Sequence, residues 1–198
     1  IKDFKVKQAK EMLKYSLPLI PNSISWWIMD ASDRTIVSNV LGASNNAILA
    51  VAHKIPNLCQ NFYNVFHLSW QENATETYNL EDRNNYYNTI LNKMFIVLIS
   101  ISLLILGTNF IFFDFIFSSE YHSAYYQVPI FIISSIFSML AQFIGGIFIA
   151  QKDSKTNGLT TTIAAIINII VHLALIRKIG LYAATISTLV SYIFLFVT

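Results

Sequence analysis

The chain has 198 residues, of which 55% are hydrophobic and only 12% charged, with a mean hydropathy of +0.53. That charged share is about half of what soluble domains carry, and the fifteen Phe and ten Tyr exceed what a soluble core of this size buries. A formal net charge of +2 provides no basic field for nucleic acid, so the composition predicts an all-α, polytopic transmembrane bundle.

In chain order, residues 1–12 alternate Lys2, Lys5, Lys7 and Lys10 with Ile1, Phe4 and Met12, the pattern of a segment lying on a membrane surface. The first predicted span, 13–41, starts beside Lys14 and contains Pro18 and Pro21, each of which removes a helix hydrogen bond and favours a kink. Trp26 and Trp27 follow at mid-depth, either packed or with one indole facing a cavity, where it suits a sugar ring. Asp30, Asp33 and Arg34 then sit at membrane depth, where a charge costs a few kcal/mol even on lenient scales, so such groups normally face a cavity. Gly42-Ala43-Ser44 turns the chain into a second span, 46–70, kinked at Pro56.

This hairpin is the chemically loaded part of the sequence. Equal rise along both helices puts Asp33 level with Lys54 and Asp30 roughly level with Asn57. Arg34 follows Asp30 at the four-residue spacing of an ion pair. Asn46, His53, Asn57, Gln60, Asn64, His67 and Gln71 recur in steps of three, four or seven, which makes one polar stripe along the second helix. Two readings stand side by side: an Asp33–Lys54 pair that only locks the hairpin, or a water-filled cavity lined by the stripe. The stripe favours the cavity, because one ion pair needs no row of amides.

A polar connection, 71–88, leads to a third span over 89–107 and an aromatic run, 110–117, suited to a headgroup interface. The fourth span covers 123–150, with Gly146 and Ala150 at the spacing that lets helices approach closely. The fifth, 158–176, carries Asn168 and His172 one turn apart. The sixth, 181–198, has Gly180, Ala184, Ser187 and Ser191 as a small-residue packing seam. Lys and Arg concentrate in segments 1–12, 71–88 and 151–157, which predicts a cytoplasmic N-terminal end, against the exception of Arg177 and Lys178. The start at Ile1 and the end at Thr198 inside an apolar run lead us to expect a piece of a longer protein.

Enzyme signatures are scarce: the sequence has no Gly-rich phosphate loop, no Cys/His metal spacing and no nucleophile elbow. Cys59 is the single cysteine and the four His are scattered, so no disulfide, metal site or cofactor is expected. The spacing of Asp30, Asp33 and Arg34 suits an ion-pair cluster better than an acid/base pair.

The run Leu13 to Pro21, then Asp33-Arg34, Leu41-Gly42, Ala50 to Pro56, Phe66 to Trp70, and the later Gly158 to Gly180 stretch with Ile179 to Ala184, resembles the second half of bacterial polysaccharide-unit flippases. These belong to the multidrug/oligosaccharidyl-lipid/polysaccharide exporter superfamily and serve O-antigen and capsule synthesis. The resemblance spans nearly the whole chain. It implies twelve helices in two lobes, with this chain as the C-terminal six-helix lobe and the N-terminal lobe absent from it. It implies a multi-pass protein of the bacterial cytoplasmic (inner) membrane that moves undecaprenyl-pyrophosphate-linked oligosaccharide by alternating access. A proton or sodium ion would drive the cycle, and a polysaccharide polymerase would be a partner.

Carried onto this sequence, Arg34 and Lys54 become cationic groups facing the lumen, joined there by His53, Asn57, Gln60 and Asn64. Asp30 and Asp33 either balance the cations or couple the ion. A dianionic headgroup crossing a low dielectric needs fixed positive charge and hydrogen-bond donors along its route, which agrees with that set. The rival functions are a cation-coupled multidrug antiporter of the same superfamily and a structural membrane subunit.

Overall fold

The computed structural model describes residues 10, 12, 13, 16, 17 and 19–198, and for Phe110 and Phe112 the backbone alone. The amphipathic reading of residues 1–12, apart from Lys10 and Met12, lies outside the described residues, as do Lys14 and Pro18. Every regular element is helical: α1 (Leu19–Leu41), α2 (Ala43–Thr77), α3 (Arg83–Ile116), a 3-10 turn (Ser119–Tyr121), a one-turn α4 (His122–Tyr125), α5 (Val128–Ala150), α6 (Ser154–Ile179) and α7 (Tyr182–Val197), among the described residues.

Local chemistry sets the boundaries. Gly42 alone separates α1 from α2; its φ of 91° is a conformation that a side-chain-bearing residue adopts only with strain. The second helix does not stop at the polar connection but runs on to Thr77. The hydroxyls of Thr75 and Thr77 donate back to the carbonyls of Gln71 and Asn73, and Tyr87 Oη on α3 donates to the Ala74 carbonyl at 2.6 Å. The aromatic run likewise continues α3 as far as Ile116. The expected fourth span is interrupted at Tyr126–Gln127 because Pro129, which has no N–H, falls in the first turn of α5. Asp153 caps α6 by accepting a hydrogen bond from the Thr156 amide at 3.1 Å. At the far end, Arg177 and Lys178 lie where the helix dipole favours cations, and Gly180 (φ 61°) ends the helix.

The helices do not pack in chain order. α1 lies along α6, α2 lies along α5, and α7 packs against both α5 and α6, while α3 touches the bundle mainly through α5. Three apolar clusters result. One gathers Val37, Leu49, Phe113, Phe131 and Ile176 near the α1–α2 turn. A second joins Tyr63, Trp70, Met94, Met139 and Phe143 of α2, α3 and α5. A third joins Met29, Ala164 and Leu195 of α1, α6 and α7. In the second, the Trp70 indole stacks on Phe143 at 3.9 Å and donates to the Phe143 carbonyl at 2.9 Å. Gly146 leaves the room for this: a β-carbon there would come within 2.7 Å of Trp70 Nε1. The small residues of α7 also pack inward, with Ala184, Ser187 and Ser191 fully buried.

Three helical stretches, Arg83–Asn109, Val128–Ala150 and Ser154–Ile179, are long and apolar enough to cross a membrane. Large apolar side chains such as Phe62, Val65 and Phe115 stand exposed on the outer faces, as lipid-facing residues do. The architecture is compatible with a helical membrane protein.

Candidate functional site

Four helices line a half-open cavity of about 460 Å³. α1 contributes Asn22, Trp26 and Asp30, each four residues from the next, so that all three share one face. α2 contributes His53, Asn57, Gln60 and His67; α5 contributes Ser134, Ser138 and Gln142; α7 contributes Thr188 and Tyr192. Each set follows helical spacing, so each helix turns one polar edge inward and leaves its apolar faces for packing. A second cavity of about 60 Å³ shares Asn22, Trp26, His67 and Gln142 with the first and extends the polar lining to Gln71, Asn157 and Thr160. A larger cleft of about 620 Å³ between α2, α3 and α5 is walled by Leu58, Phe62, Val97, Ile101 and Met139 and has little polar chemistry. We place the candidate site in the polar cavity.

Its side chains are held by one another. Gln60 Nε2 donates to Asn64 Oδ1 at 3.0 Å and to Gln142 Oε1 at 3.3 Å. Gln142 Nε2 donates to Ser138 Oγ at 3.0 Å, and His67 Nε2 lies 3.1 Å from the Gln142 carbonyl. The His53 ring packs 4.0 Å from Phe131, and Trp26 packs 5.6 Å from Tyr192. Amides, hydroxyls and an indole around one space make a surface suited to polyhydroxylated ligands.

The sequence-chosen residues divide into three groups. Asp30, His53, Asn57 and Gln60 line the cavity, and Asn64 adjoins it through Gln60. Arg34 and Lys54 are exposed and are not among its lining residues; the Lys54 ammonium sits 5.8 Å from the Phe117 ring centre. Asp33 is buried and bonded to α6 and α7. His172 Nδ1 on α6 lies 2.8 Å from Asp33 Oδ1, and Thr188 Oγ1 on α7 donates to Asp33 Oδ2 at 2.6 Å.

The expected pairings therefore do not form. Asp33 pairs with His172 instead of Lys54, and no described ion pair joins Asp30 to Arg34. Height along a hairpin fixes only the level of two residues; the direction each faces depends on rotation about its own helix, about 100° per residue. His53 faces the cavity, so its neighbour Lys54 does not. The residues that the sequence left unassigned are Asn22, Ser134, Ser138, Gln142, His172, Thr188 and Tyr192. The one local signal for any of them was the Asn168/His172 spacing on an otherwise apolar helix.

No protein-family model, curated protein or solved structure matches the chain.

Proposed function

We propose that the chain is the C-terminal six-helix lobe of a polysaccharide-unit flippase. It would move undecaprenyl-pyrophosphate-linked oligosaccharide across the bacterial cytoplasmic membrane by alternating access, driven by an inward ion flow. The observation that carries the proposal is the amide- and hydroxyl-rich cavity inside an apolar bundle, with Trp26 and Tyr192 on its wall. Such a lining offers hydrogen bonds to sugar hydroxyls and a flat ring for a pyranose face. Arg34 and Lys54, exposed and without an ion-pair partner among the described residues, supply fixed positive charge for a pyrophosphate passing beside this lobe. Joined by α1, α2 and α7, the three apolar helices would make a lobe of six spans. The polar rows on α1 and α2 lower their hydropathy for the same reason that they line the cavity.

Cation-coupled efflux of small amphipathic cations is favoured by one observation: Asp30 lines the cavity, whereas Arg34 and Lys54 do not. Deleting the parent gene separates the two functions. A flippase leaves undecaprenyl-pyrophosphate-linked glycan on the cytoplasmic face, cleared by the wild-type gene but not by an equally abundant Lys54→Glu variant. An unchanged glycolipid pool with normal surface polysaccharide, in a strain without a redundant flippase, would reject the first reading in favour of efflux.

A further inference from the structure

We infer that the buried Asp33–His172 pair is a proton-binding site, read from the polar cavity through Thr188. The inference gives the proposed ion coupling an ion and a place, and rests on that reading for its role in export.

Asp33 is 2% exposed and His172 not at all, and the two join α1 to α6. The Thr188 hydroxyl donates to Asp33 Oδ2, and His172 Nδ1 shares a hydrogen with Asp33 Oδ1; a neutral imidazole that donates through Nδ1 keeps a lone pair on Nε2. That Nε2 has no hydrogen-bond partner among the described residues, nor has Asn168 Nδ2 one turn before it. Neutral imidazole beside carboxylate leaves one uncompensated negative charge at membrane depth, a costly state. Binding one proton makes the pair neutral overall, and no other bond breaks.

Access is built in, because Thr188 both lines the cavity and bonds Asp33. Other ionisable groups act near the site: His53 on α2 and Tyr192 on α7 feel the Asp33 charge, and Asp30 and Arg34, on the helix of Asp33 itself, act on His53. A proton suits the site better than a metal cation. Both Asp33 oxygens are already engaged, the free atoms nearby are nitrogens, and no group of three or more His, Cys, Asp or Glu side chains gathers among the described residues. Since α1 also carries Asn22, Trp26 and Asp30, a change in how tightly Asp33 holds α6 is transmitted to the cavity wall.

The test uses the full-length protein in lipid nanodiscs with isotope-labelled histidine, with no glycolipid present. The His172 ring resonances are followed from about pH 4 to pH 9, a window that spans ordinary imidazole titration. We expect His172 to titrate, and Asp33→Asn to lower its proton affinity at least about tenfold, since an adjacent carboxylate is what favours imidazolium. Thr188→Val, which keeps the pair but removes a donor that favours the carboxylate, raises the affinity and serves as the second variant if Asp33→Asn does not fold. A His172 signal that ignores pH, or one that Thr188→Val leaves unmoved, would overturn the proposal. So would a midpoint that shifts when sodium replaces choline, because the site would then belong to a metal cation. Intact titration in a protein whose gene deletion leaves the glycolipid pool unchanged would instead reject the flippase reading and leave the proton site standing.

Discussion

Asp33 Oδ1 and His172 Nδ1 meet at 2.8 Å, 139 residues apart in sequence, and this contact fastens the charged hairpin to the far side of the bundle. Removing one member strands the other in a buried setting. Asp33→Ala or His172→Ala therefore lowers stability by about 3–5 kcal/mol, the range for a buried pair that loses one partner. Asp33→Ala with His172→Ala leaves no lone partner and loses less than the sum of the two single changes. Denaturation of the purified variants in a common detergent measures the cycle, and strict additivity would count against direct coupling.

The same contact fixes the outcome of a charge swap across the hairpin. Lys54 is exposed and not paired with Asp33. Asp33→Lys combined with Lys54→Asp is expected to be no more abundant in the membrane than Asp33→Lys alone, because lysine would then face His172 and Thr188. Lys54→Glu alone keeps wild-type abundance. Quantitative immunoblots of membrane fractions decide both points.

The sequence made the hairpin and its inward edge legible because both are local. Helical spacing put His53, Asn57 and Gln60 on one face, and they line the cavity together. The partner of Asp33 was not legible: His172 and Thr188 lie on helices brought beside α1 only by non-sequential packing, and equal height in a hairpin says nothing of rotation. The extension of α2 through Thr77 was hidden for a different reason. Its polar residues read as a loop by composition, yet their hydroxyls bond back to the helix and its flank packs on Tyr87.

Two adjacent glycines on α5 respond oppositely to alanine. At Gly146 the added methyl meets the Trp70 indole at 2.7 Å, and the stacking on Phe143 leaves that ring little room to withdraw. Overpacking of this kind costs about 1–3 kcal/mol and exceeds the gain of about 1 kcal/mol from replacing a helical glycine. At Gly145 the nearest atom is Asn157 Oδ1 at 3.5 Å, an ordinary contact, so the helix gain prevails. Gly146→Ala thus lowers the melting temperature and Gly145→Ala holds or raises it. The opposite order would mean that the α2–α5 contact is looser than this packing.

Asp153, at the surface before α6, gives the fold a pH dependence outside the membrane-spanning segments. The Thr156 hydroxyl, and then its backbone N–H, hydrogen-bond the carboxylate and hold it below the usual aspartate range. A carboxyl whose folded value is depressed contributes fully above its unfolded value, near pH 4, and loses that contribution as pH falls through the lower folded value. The first turn of α6 is therefore expected to fray as pH falls below about 4, beginning with the capped Thr156 amide. Asp153→Asn keeps a side-chain oxygen for the amide without a titrating proton. Amide exchange at Thr156, corrected for the intrinsic pH dependence of exchange, should rise on acidification in the wild-type protein and stay level in Asp153→Asn. An equal rise in both would place the acid sensitivity elsewhere than at this cap.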